Sequence, residues 1–325
     1  KVIFMSFVVV SIYTIIEILI IKFECIALVP ILELFNYFPF TDVYIDFRNE
    51  RISSVTFEPP AFATYLFTIA GWMFSYILTG KGIKRYVPAI MTIIFALFSG
   101  SRAALLIIFL QAIIFLALLL NKKYIRIFLN ITKYTFIVVF LVLLFKGESI
   151  SNYVVEKATS FEIQDDIHAV SNKSRFGIQY TLFQVFLKKP IIGTGYGQQT
   201  FLAKDMYPKW ATDDNWEFRL KYLNEELKSF PPGYNIYLRV LAESGLIGFI
   251  IFILFLASVI YVSFKIIRQN NHNQVISLVI LVSIVGFIFN WFKMDTFRVY
   301  GFWISFALLL HISNGKINFK SLINR

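Results

Sequence analysis

Residues 174–197 read SRFGIQYTLFQVFLKKPIIGTGYG, and residues 231–249 read PPGYNIYLRVLAESGLIGF. The chain between these two stretches is polar and aromatic, whereas on both outer sides it changes into long apolar runs. We therefore predict that residues 147–236 form a large water-exposed loop between two membrane spans. Loops of this length that no disulfide closes are usually functional rather than simple connectors. We expect this loop to form half of a functional site, and two short polar interruptions earlier in the chain to form the other half.

The composition of the chain is typical of a membrane protein. Hydrophobic residues make up 58% of the sequence, charged residues make up 16%, and the mean hydropathy is +0.68. Soluble domains are about half apolar and about a quarter charged. The chain starts with Lys1 rather than Met, so we expect that a further segment precedes it. Its one cysteine, Cys25, excludes an intramolecular disulfide.

Long apolar runs predict the membrane spans, because a helix needs about 20 apolar residues to cross a bilayer. The predicted spans are Val2–Ile21, Pro60–Thr79, Ile125–Phe145, Tyr237–Phe264, Val275–Trp291 and Val299–Ile312. The stretch Tyr86–Leu120 is too long for one crossing, and the residues Ser99–Arg102 divide it into two helices. We therefore predict an all-α fold, a polytopic integral membrane helical bundle of about eight spans. Residues 1–146 form its N-terminal helices with an outer-face loop at 22–59, and residues 237–325 form its C-terminal helices and a basic tail.

Basic residues predict the orientation of the helices. Alternate short connections and the C-terminal tail contain basic residues and no acidic ones. These basic residues are Lys81, Lys84, Arg85, Lys122, Lys123, Arg126, Lys265, Arg268, Lys316, Lys320 and Arg325. Such connections stay in the cytoplasm, so the large loop, in which acidic and basic residues balance, is expected on the extracytoplasmic face. The net charge of +11 then reflects topology and anionic lipid headgroups, and not nucleic acid.

The first polar interruption ends in RISSVTFEPPAFATYLF at residues 51–67. Arg51 and Glu58 stand just before a helix predicted to start with Pro59 and Pro60, because proline is tolerated in a first helical turn. The helix dipole stabilises a carboxylate at that position. Two interpretations stay open. Glu58 caps the helix next to a solvated arginine, or the two side chains are a functional carboxylate and guanidinium at the membrane surface.

The second interruption is FSGSRAALLI at residues 98–107. A guanidinium at the end of two apolar helices is costly unless it reaches water, headgroups or a partner. Arg102 could therefore extend its charge to the membrane surface. Alternatively, it could bind a phosphate, because the planar arginine fork matches phosphate oxygens. In that second interpretation, Ser101 and the turn before it add hydroxyl and backbone donors.

Residues 174–186 are predicted to form an amphipathic helix at the membrane interface, because apolar residues recur there at helical spacing. These residues are Phe176, Ile178, Tyr180, Leu182, Phe183, Phe186 and Leu187. The prediction places Arg175 in the first turn, where a cation gains nothing from the helix dipole. We therefore expect Arg175 to bind the anion of a ligand.

Pro190 ends this predicted helix, and Gly193, Gly195 and Gly197 allow a tight backbone path after it. A GxGxG string alone suggests nucleotide binding, but this one follows a helix rather than a strand and is predicted to lie outside the cytoplasm. We therefore exclude a nucleotide site. Earlier in the loop lie Glu162, Asp165, Asp166 and His168. Their spacing does not recur as in a metal site, so we interpret this part as a solvated loop without a metal.

The chain re-enters the membrane after PPGYN at residues 231–235. Arg239 and Glu243 are four residues apart in the next helix and are expected to pair, either as a structural ion pair or as part of the site. Gly245 and Gly248 are expected to allow close packing of that helix against others. A later outer hairpin is interpreted as ordinary interface chemistry. It contains Lys293, Asp295 and Arg298.

Four motifs follow one another along most of the chain: RISSVTFEPPAFA at residues 51–63, SGSRAALL at 99–106, the stretch at 174–197, and YNIYLRVLAESGLIG at 234–248. In this order and spacing they resemble the O-antigen polymerase and ligase superfamily (Wzy/WaaL type). The resemblance implies a polytopic glycosyltransferase of the bacterial inner membrane. Such an enzyme moves a glycan from an undecaprenyl-pyrophosphate carrier to an acceptor, without nucleotide sugar, metal or other cofactor.

The resemblance also implies roles for individual residues. Arg102 and Arg175 would bind the carrier pyrophosphate, together with Arg51. Ligase-type members usually carry a histidine before the asparagine that is Asn235 here, where this chain has Tyr234. The residues assigned to catalysis are Glu58, Arg102, Arg175 and Glu243, of which Glu58 or Glu243 would be the general base. The residues assigned to substrate binding are Arg51, Ser101, Gly193, Gly195, Gly197, Tyr234, Asn235 and Arg239.

The predicted function is polymerisation of lipid-linked repeat units into O-antigen, capsule or exopolysaccharide, because the Glu58–Pro59 pair is similar to a polymerase pattern. The alternative is a ligase that transfers the finished glycan to a terminal acceptor such as the core of lipopolysaccharide. A polysaccharide transporter or flippase is a further alternative, although it would need polar residues deep in several spans and repeated halves. The expected partners are the lipid-linked donor and acceptor, the bilayer, a chain-length regulator and a flippase.

Overall fold

In the computed structural model, the described part of the chain is helical. The structure describes residues 2–37, 43–47, 50–120, 129, 133, 169–224, 226, 230–269 and 273–313. These residues contain no β-strand, and an isolated antiparallel bridge joins Asp46 to Arg51. The predicted all-α fold is therefore confirmed for the described residues.

The helices are labelled in chain order. They are α1 (Val2–Phe23), α2 (Val29–Glu33), α3 (Pro59–Thr79), α4 (Val87–Phe98), α5 (Arg102–Leu118), α6 (Ala169–Lys188), α7 (Gln199–Ala203), α8 (Lys209–Thr212), α9 (Ile236–Arg268), α10 (Gln274–Asn290) and α11 (Tyr300–Ile312). Short 3-10 turns lie at Ile26–Leu28, Leu34–Tyr37 and Ile83–Tyr86, and a π turn lies at Phe218–Tyr222.

The chain divides into two compact units. The first unit comprises Lys1–Lys123, Ser258–Asn290 and Val299–Arg325. The second unit comprises Tyr124–Ala257 and Trp291–Arg298, and its range therefore includes all of residues 147–236, the predicted large loop.

Three of the described helices, α1, α3 and α9, are long and apolar enough to cross a membrane. The predicted spans at residues 2–21, 60–79 and 237–264 are thus confirmed as helices. The 17 residues of α10 extend about 25 Å and the 13 residues of α11 about 20 Å, whereas a hydrocarbon core is about 30 Å thick. The predicted span at 125–145 lies outside the described residues apart from 129 and 133, so the total of about eight spans stays a prediction.

The long helices expose apolar side chains along continuous faces. On α1 these side chains are Val2, Met5, Val9 and Ile12, which recur on one side of the helix. On α9 they include Ile247, Ile250, Ile251 and Leu254. Extended apolar faces of this kind are unfavourable in water and favourable in lipid, so the protein is a membrane protein.

The break between α4 and α5 lies at the predicted position. Gly100 has a φ of +62°, a backbone angle that favours glycine, and the chain turns there after the end of α4. The Ser101 hydroxyl accepts a hydrogen bond from the Ala104 amide at 3.3 Å and thereby caps the start of α5. The prediction that this stretch forms two helices is confirmed.

A buried glutamine connects three helices of the first unit. The side-chain amide of Gln111 on α5 donates to the Phe67 carbonyl of α3 at 2.8 Å and to the Val282 carbonyl of α10 at 2.9 Å. Gly71 lets α3 approach α10 closely, because a Cβ there would lie 2.7 Å from the Val279 carbonyl oxygen. Small residues and side-chain amides are the usual means of packing membrane helices, where lipid gives no hydrophobic drive for association.

Helix α6 packs one face into the second unit and exposes another. Its buried residues Ile178, Leu182 and Val185 contact the apolar side chains of α7, α8 and the start of α9. An exposed apolar stripe consists of Phe176, Tyr180, Phe183 and Leu187. The predicted helix is confirmed, and its described part already includes Ala169, five residues before the predicted start at Ser174. Arg175 therefore does not lie in the first turn, and the argument from the helix dipole no longer applies to it.

Candidate functional site

In the first unit, Arg51 lies against the turn that precedes Arg102. The Arg51 Nε donates a hydrogen bond to the Ser99 carbonyl at 3.2 Å, and a Cβ on Gly100 would lie 3.1 Å from the same nitrogen. Burial lowers the pKa of the Arg51 guanidinium, the charges of Asp46 and Glu58 raise it, and the charge of Arg102 lowers it. The structure thus brings the predicted residues Arg51, Glu58 and Arg102 into one electrostatic group.

Glu58 is the residue immediately before α3, with an extended backbone, as the cap interpretation requires. Its side chain makes no capping hydrogen bond and is exposed. The Thr56 hydroxyl instead donates to the Glu58 carbonyl at 2.9 Å. The carboxylate is therefore exposed and is not used to cap the helix.

A carboxylate that the sequence analysis did not select holds this segment in place. Glu17 of α1 is fully buried and accepts hydrogen bonds from the Ser53 amide at 3.1 Å and from the Ser54 amide at 2.7 Å. The Thr14 hydroxyl donates to the Ser54 hydroxyl at 2.8 Å. A glutamate within the apolar run IIEILI is a signal that could have identified it, because ionisable residues inside spans are costly and need partners.

In the second unit, α9 is broken at Gly245, whose φ and ψ are 63° and −165°. The glycine loop, defined as residues 190–197, supplies the backbone partners that the broken helix lacks. The amides of Thr194 and Gly195 donate to the carbonyls of Ala242 and Glu243 at 2.9 and 2.8 Å. In the other direction, the Leu246 amide donates to the Pro190 carbonyl at 2.8 Å and the Ile247 amide to the Ile191 carbonyl at 3.3 Å.

The glycines of this loop adopt backbone angles that favour glycine, and Gly193 is also required by close backbone contact. Gly193, Gly195 and Gly197 have φ values of +71°, +99° and +73°. A Cβ on Gly193 would collide with the Glu243 carbonyl, and a Cβ on Gly245 would collide with the Ile191 carbonyl. The expectation that Gly245 packs one helix against another is wrong, because it breaks the helix and contacts the glycine loop instead.

The companion expectation for Gly248 stays a prediction. Among the described residues, a Cβ on Gly248 would meet only the side chain of Ser244 on the same helix, and not a neighbouring helix. This glycine follows the break by one turn, and its missing side chain leaves room for Ser244.

Arg239 and Glu243 form the predicted ion pair. The Arg239 Nε donates to Glu243 Oε1 at 2.9 Å, and the Gly197 amide donates to the same oxygen at 3.0 Å. Arg239 Nη1 donates to the Asp295 carbonyl at 2.9 Å and lies 3.6 Å from Asp295 Oδ2. Asp295 Oδ2 also accepts from the Gly233 amide at 2.7 Å.

The interpretation of Asp295 as an ordinary interface residue is therefore wrong. Its carboxylate pairs with Arg239, and its side chain is only 18% exposed. The two residues are far apart in the sequence, and no local pattern connects them. Two carboxylates thus pair with this one arginine.

Arg175, unlike Arg239, contacts an aromatic ring and not a carboxylate among the described residues. It is exposed, and its Cζ lies 5.4 Å from the centre of the Tyr234 ring, a cation–π contact. Within the described residues it makes no ion pair. Tyr234 has a φ of +53°, which is rare for a tyrosine, and its carbonyl accepts a hydrogen bond from the Gln179 side chain at 3.3 Å.

The hydroxyl of Tyr234 lies 3.3 Å from the hydroxyl of Tyr222. Burial raises the pKa of Tyr222, and its hydrogen bond with Tyr234 adds to this effect. The hydroxyl of Tyr222 therefore stays protonated at neutral pH and can donate but not act as a base. Next to this pair, the Asn235 side chain accepts from the amides of Tyr237 and Leu238 at 3.0 and 3.2 Å, and so caps the start of α9.

The predicted site residues thus form two groups, one in each unit. The first contains Arg51, Glu58 and Arg102 with the capping Ser101, and the second contains Arg175 with Tyr234 and Arg239 with Glu243. The predicted solvated stretch with Glu162, Asp165, Asp166 and His168 lies outside the described residues. Among the described residues, no group of three or more His, Cys, Asp or Glu side chains is arranged to hold a metal ion.

The sequence matches the O-antigen ligase family (Wzy_C) over residues 87–253. This region is about half of the chain and includes Arg102, Arg175, the glycine loop, Tyr234 and Glu243, whereas Arg51 and Glu58 precede it. A comparison with curated proteins finds no match. Because the family match covers half of the chain and includes Arg102, Arg175 and Glu243, this chain belongs to the O-antigen ligase family and is a membrane protein with a role in glycan processing.

Proposed function

We propose that the protein polymerises undecaprenyl-pyrophosphate-linked oligosaccharide repeat units into a surface polysaccharide, at the outer face of the bacterial cytoplasmic membrane. The observation that carries this proposal is the environment of Arg175. Its exposed guanidinium lies over the Tyr234 ring and makes no ion pair with a described residue. An arginine in this state has its donors available for the phosphate oxygens of a lipid carrier.

In the proposed reaction, the hydroxyl of an acceptor sugar attacks the anomeric carbon of the donor glycan. A glycosidic bond forms while the bond from that carbon to the carrier diphosphate breaks. The diphosphate leaves with an additional negative charge, which Arg175 stabilises as it develops. Arg51 and Arg102 are assigned to the same ligand class, a phosphate, because both guanidinium groups lie at the turn before α5.

Glu58 is the better candidate for the general base that accepts the proton of the attacking hydroxyl. Its carboxylate is exposed and makes no capping hydrogen bond. Glu243 is only 7% exposed, and its Oε1 already accepts hydrogen bonds from Arg239 and Gly197. Assistance by a general base is worth about 100- to 10,000-fold in rate.

A substitution of Arg175 tests the proposal. Arg175→Ala is expected to lower polymer synthesis by about 100- to 1,000-fold, the usual loss when one stabilising donor of a transition state is removed. The measurement is gel analysis of surface polysaccharide and of carrier-linked intermediates, in a deletion strain that expresses the variant at the wild-type level. The matched control is Arg219→Ala, which removes another exposed arginine of the second unit. Wild-type polymer length and amount in Arg175→Ala would contradict the proposal.

Ligation is the second candidate function, because the matching family is described as O-antigen ligase. A ligase would transfer a finished glycan from the same carrier to a terminal acceptor and would need the same diphosphate contacts. The products distinguish the two functions. A polymerase deletion leaves single repeat units on the carrier, whereas a ligase deletion leaves long chains on the carrier and none on the acceptor.

The proposal includes the membrane orientation and the partners expected from the sequence. The large loop is assigned to the outside of the cytoplasmic membrane, where a flippase delivers the lipid-linked repeat units and a chain-length regulator limits their number. The short basic connections support this orientation.

A further inference from the structure

The glycine loop begins with an apolar tip, for which neither the fold nor the proposed reaction accounts. The apolar tip is defined as residues 190–192, and it follows α6 after a single residue, Lys189. The side chains of Ile191 and Ile192 are 65% and 74% exposed. Large apolar side chains that adjoin one another on a surface mark a contact with lipid or with another protein.

Backbone hydrogen bonds attach the apolar tip to the long apolar part of α9. The Leu246 amide donates to the Pro190 carbonyl at 2.8 Å, and the Ile247 amide donates to the Ile191 carbonyl at 3.3 Å. Leu246 and Ile247 are themselves exposed, and they begin the apolar face of α9. The apolar tip therefore continues the surface of a helix that is long and apolar enough to cross a membrane.

The length of α9 places its break near one boundary of the hydrocarbon core. Residues 246–264 extend about 28 Å at 1.5 Å per residue, and the hydrocarbon core of a bilayer is about 30 Å thick. Lys265 follows this apolar stretch at one end, and Glu243 precedes it at the other. When Lys265 lies among the headgroups of one leaflet, Gly245 and the attached tip lie where the hydrocarbon of the other leaflet begins.

Two lysines beside the apolar tip fit this depth. Lys188 and Lys189 are exposed, and they precede the tip directly in the chain. A lysine at the edge of an apolar surface lays its stem along that surface and extends its ammonium group to the lipid headgroups. On α6, the exposed side chains of Phe183 and Leu187 precede the lysines. Apolar side chains on both sides of a cationic pair are typical of a segment that lies in the membrane interface.

A protein partner is the other possible occupant of an exposed apolar surface. The apolar tip, however, is continuous with the apolar face of α9, which is favourable only in lipid. A soluble partner that covered the tip would adjoin a surface that already lies in the bilayer. Lipid is therefore the occupant that the observations favour.

We infer that the apolar tip inserts into the leaflet on the side of the large loop, with its two isoleucine side chains among the upper acyl chains and the two lysines among the headgroups. This part of the predicted water-exposed loop then lies in lipid and anchors the second unit. Because the Gly197 amide of the same loop contacts Glu243, the anchor also holds Glu243 at the level of the headgroups. The inference concerns the lipid and not the reaction, so its outcome does not depend on polymerisation.

The test measures the depth of single labels on the full chain, in nanodiscs of phosphatidylcholine and phosphatidylglycerol. In a Cys25→Ser background, an environment-sensitive fluorophore is attached to Ile192→Cys, Ile251→Cys or Gln198→Cys. The quenchers are iodide in the water and a lipid with a nitroxide near the headgroup end of its acyl chain. Ile251 is exposed on the apolar face of α9 and is the reference for lipid. Gln198 is the matched control, because it is exposed and polar and follows the same loop outside the apolar tip.

The Ile192 label is expected to behave like the Ile251 label and unlike the Gln198 label. It should be quenched by the lipid nitroxide and should lose most of its quenching by iodide, since an anion does not enter the hydrocarbon core. The Gln198 label should be quenched by iodide and little by the nitroxide. All three substitutions replace exposed side chains, so the labelled proteins should melt at the temperature of the Cys25→Ser protein, which excludes unfolding as the cause of a difference.

Two results would overturn the lipid anchor. If iodide quenches the Ile192 label as strongly as the Gln198 label, the apolar tip lies in water. If neither quencher reaches the Ile192 label, protein covers the tip, for example a second copy of this chain. Chain elongation enters neither measurement. A wild type that shows the expected depth but elongates no chains would reject polymerisation and leave the lipid anchor in place.

Discussion

Two backbone amides depend on the single carboxylate of Glu17. The amides belong to Ser53 and Ser54, which are buried and follow Arg51 closely in the chain. In a membrane interior no water replaces a lost acceptor. Glu17 is thus a positioning residue, because it holds the segment that carries Arg51.

Substitution of Glu17 should therefore lower stability according to how many acceptors are lost. Glu17→Ala leaves two buried amides without partners, at about 1–3 kcal/mol each, whereas Glu17→Gln keeps one acceptor oxygen. We expect the melting temperature in detergent to fall strongly for Ala and less for Gln, as measured by fluorescence-detected size exclusion after heating. Glu33→Ala removes an exposed carboxylate of α2 and is the control. Equal melting of Glu17→Ala and wild type would disprove this role.

Single residues also mark the limit of what could be predicted from the sequence. The pair Arg239–Glu243 was predicted because its members are one helical turn apart. The pairing of Arg239 with a second carboxylate, Asp295, was not predicted. The two residues are far apart in the sequence, and only the fold brings them together.

At the scale of elements, α9 is one apolar pattern but two helical pieces. The residues before Gly245 carry Arg239 and Glu243, and the residues after it form the long apolar part. The break frees carbonyl and amide groups that a continuous helix would pair, and the glycine loop binds them. The loop and the broken helix therefore stabilise each other, and they hold Glu243 against the Gly197 amide.

Glycine substitutions in the loop test this arrangement. Gly193 and Gly197 have nearly the same φ, but a Cβ on Gly193 would collide with α9, whereas a Cβ on Gly197 would meet no atom within 4 Å. Gly197→Ala should cost only the backbone term of about 1–2 kcal/mol. Gly193→Ala should cost about 1–3 kcal/mol more because of the collision. The measurement is the melting temperature of both variants in the same detergent, and equal losses would show that the loop is not held against α9.

At the scale of the whole molecule, the orientation in the membrane is the main prediction that stays open. The one cysteine offers a direct test, because Cys25 is exposed and lies in the predicted outer-face loop at 22–59. A maleimide that cannot cross membranes should label Cys25 in intact cells. In a Cys25→Ser background, Lys265→Cys should react only after the membrane is permeabilised, since Lys265 lies in a connection predicted to be cytoplasmic. The opposite labelling pattern would reverse the proposed orientation.

The sequence by itself determined that the described chain is helical and lies in a membrane, because long apolar runs in lipid must pair their backbone groups internally. The order of its motifs also indicated the family. Only the tertiary structure decided which polar groups meet. In the fold, Glu17 accepts hydrogen bonds from the Ser53 and Ser54 amides, and Asp295 pairs with Arg239. The glycine loop forms backbone hydrogen bonds with the break in α9. Hydrogen bonds and ion pairs act over about 3 Å, so their partners depend on the folded path of the chain and not on distance along the sequence.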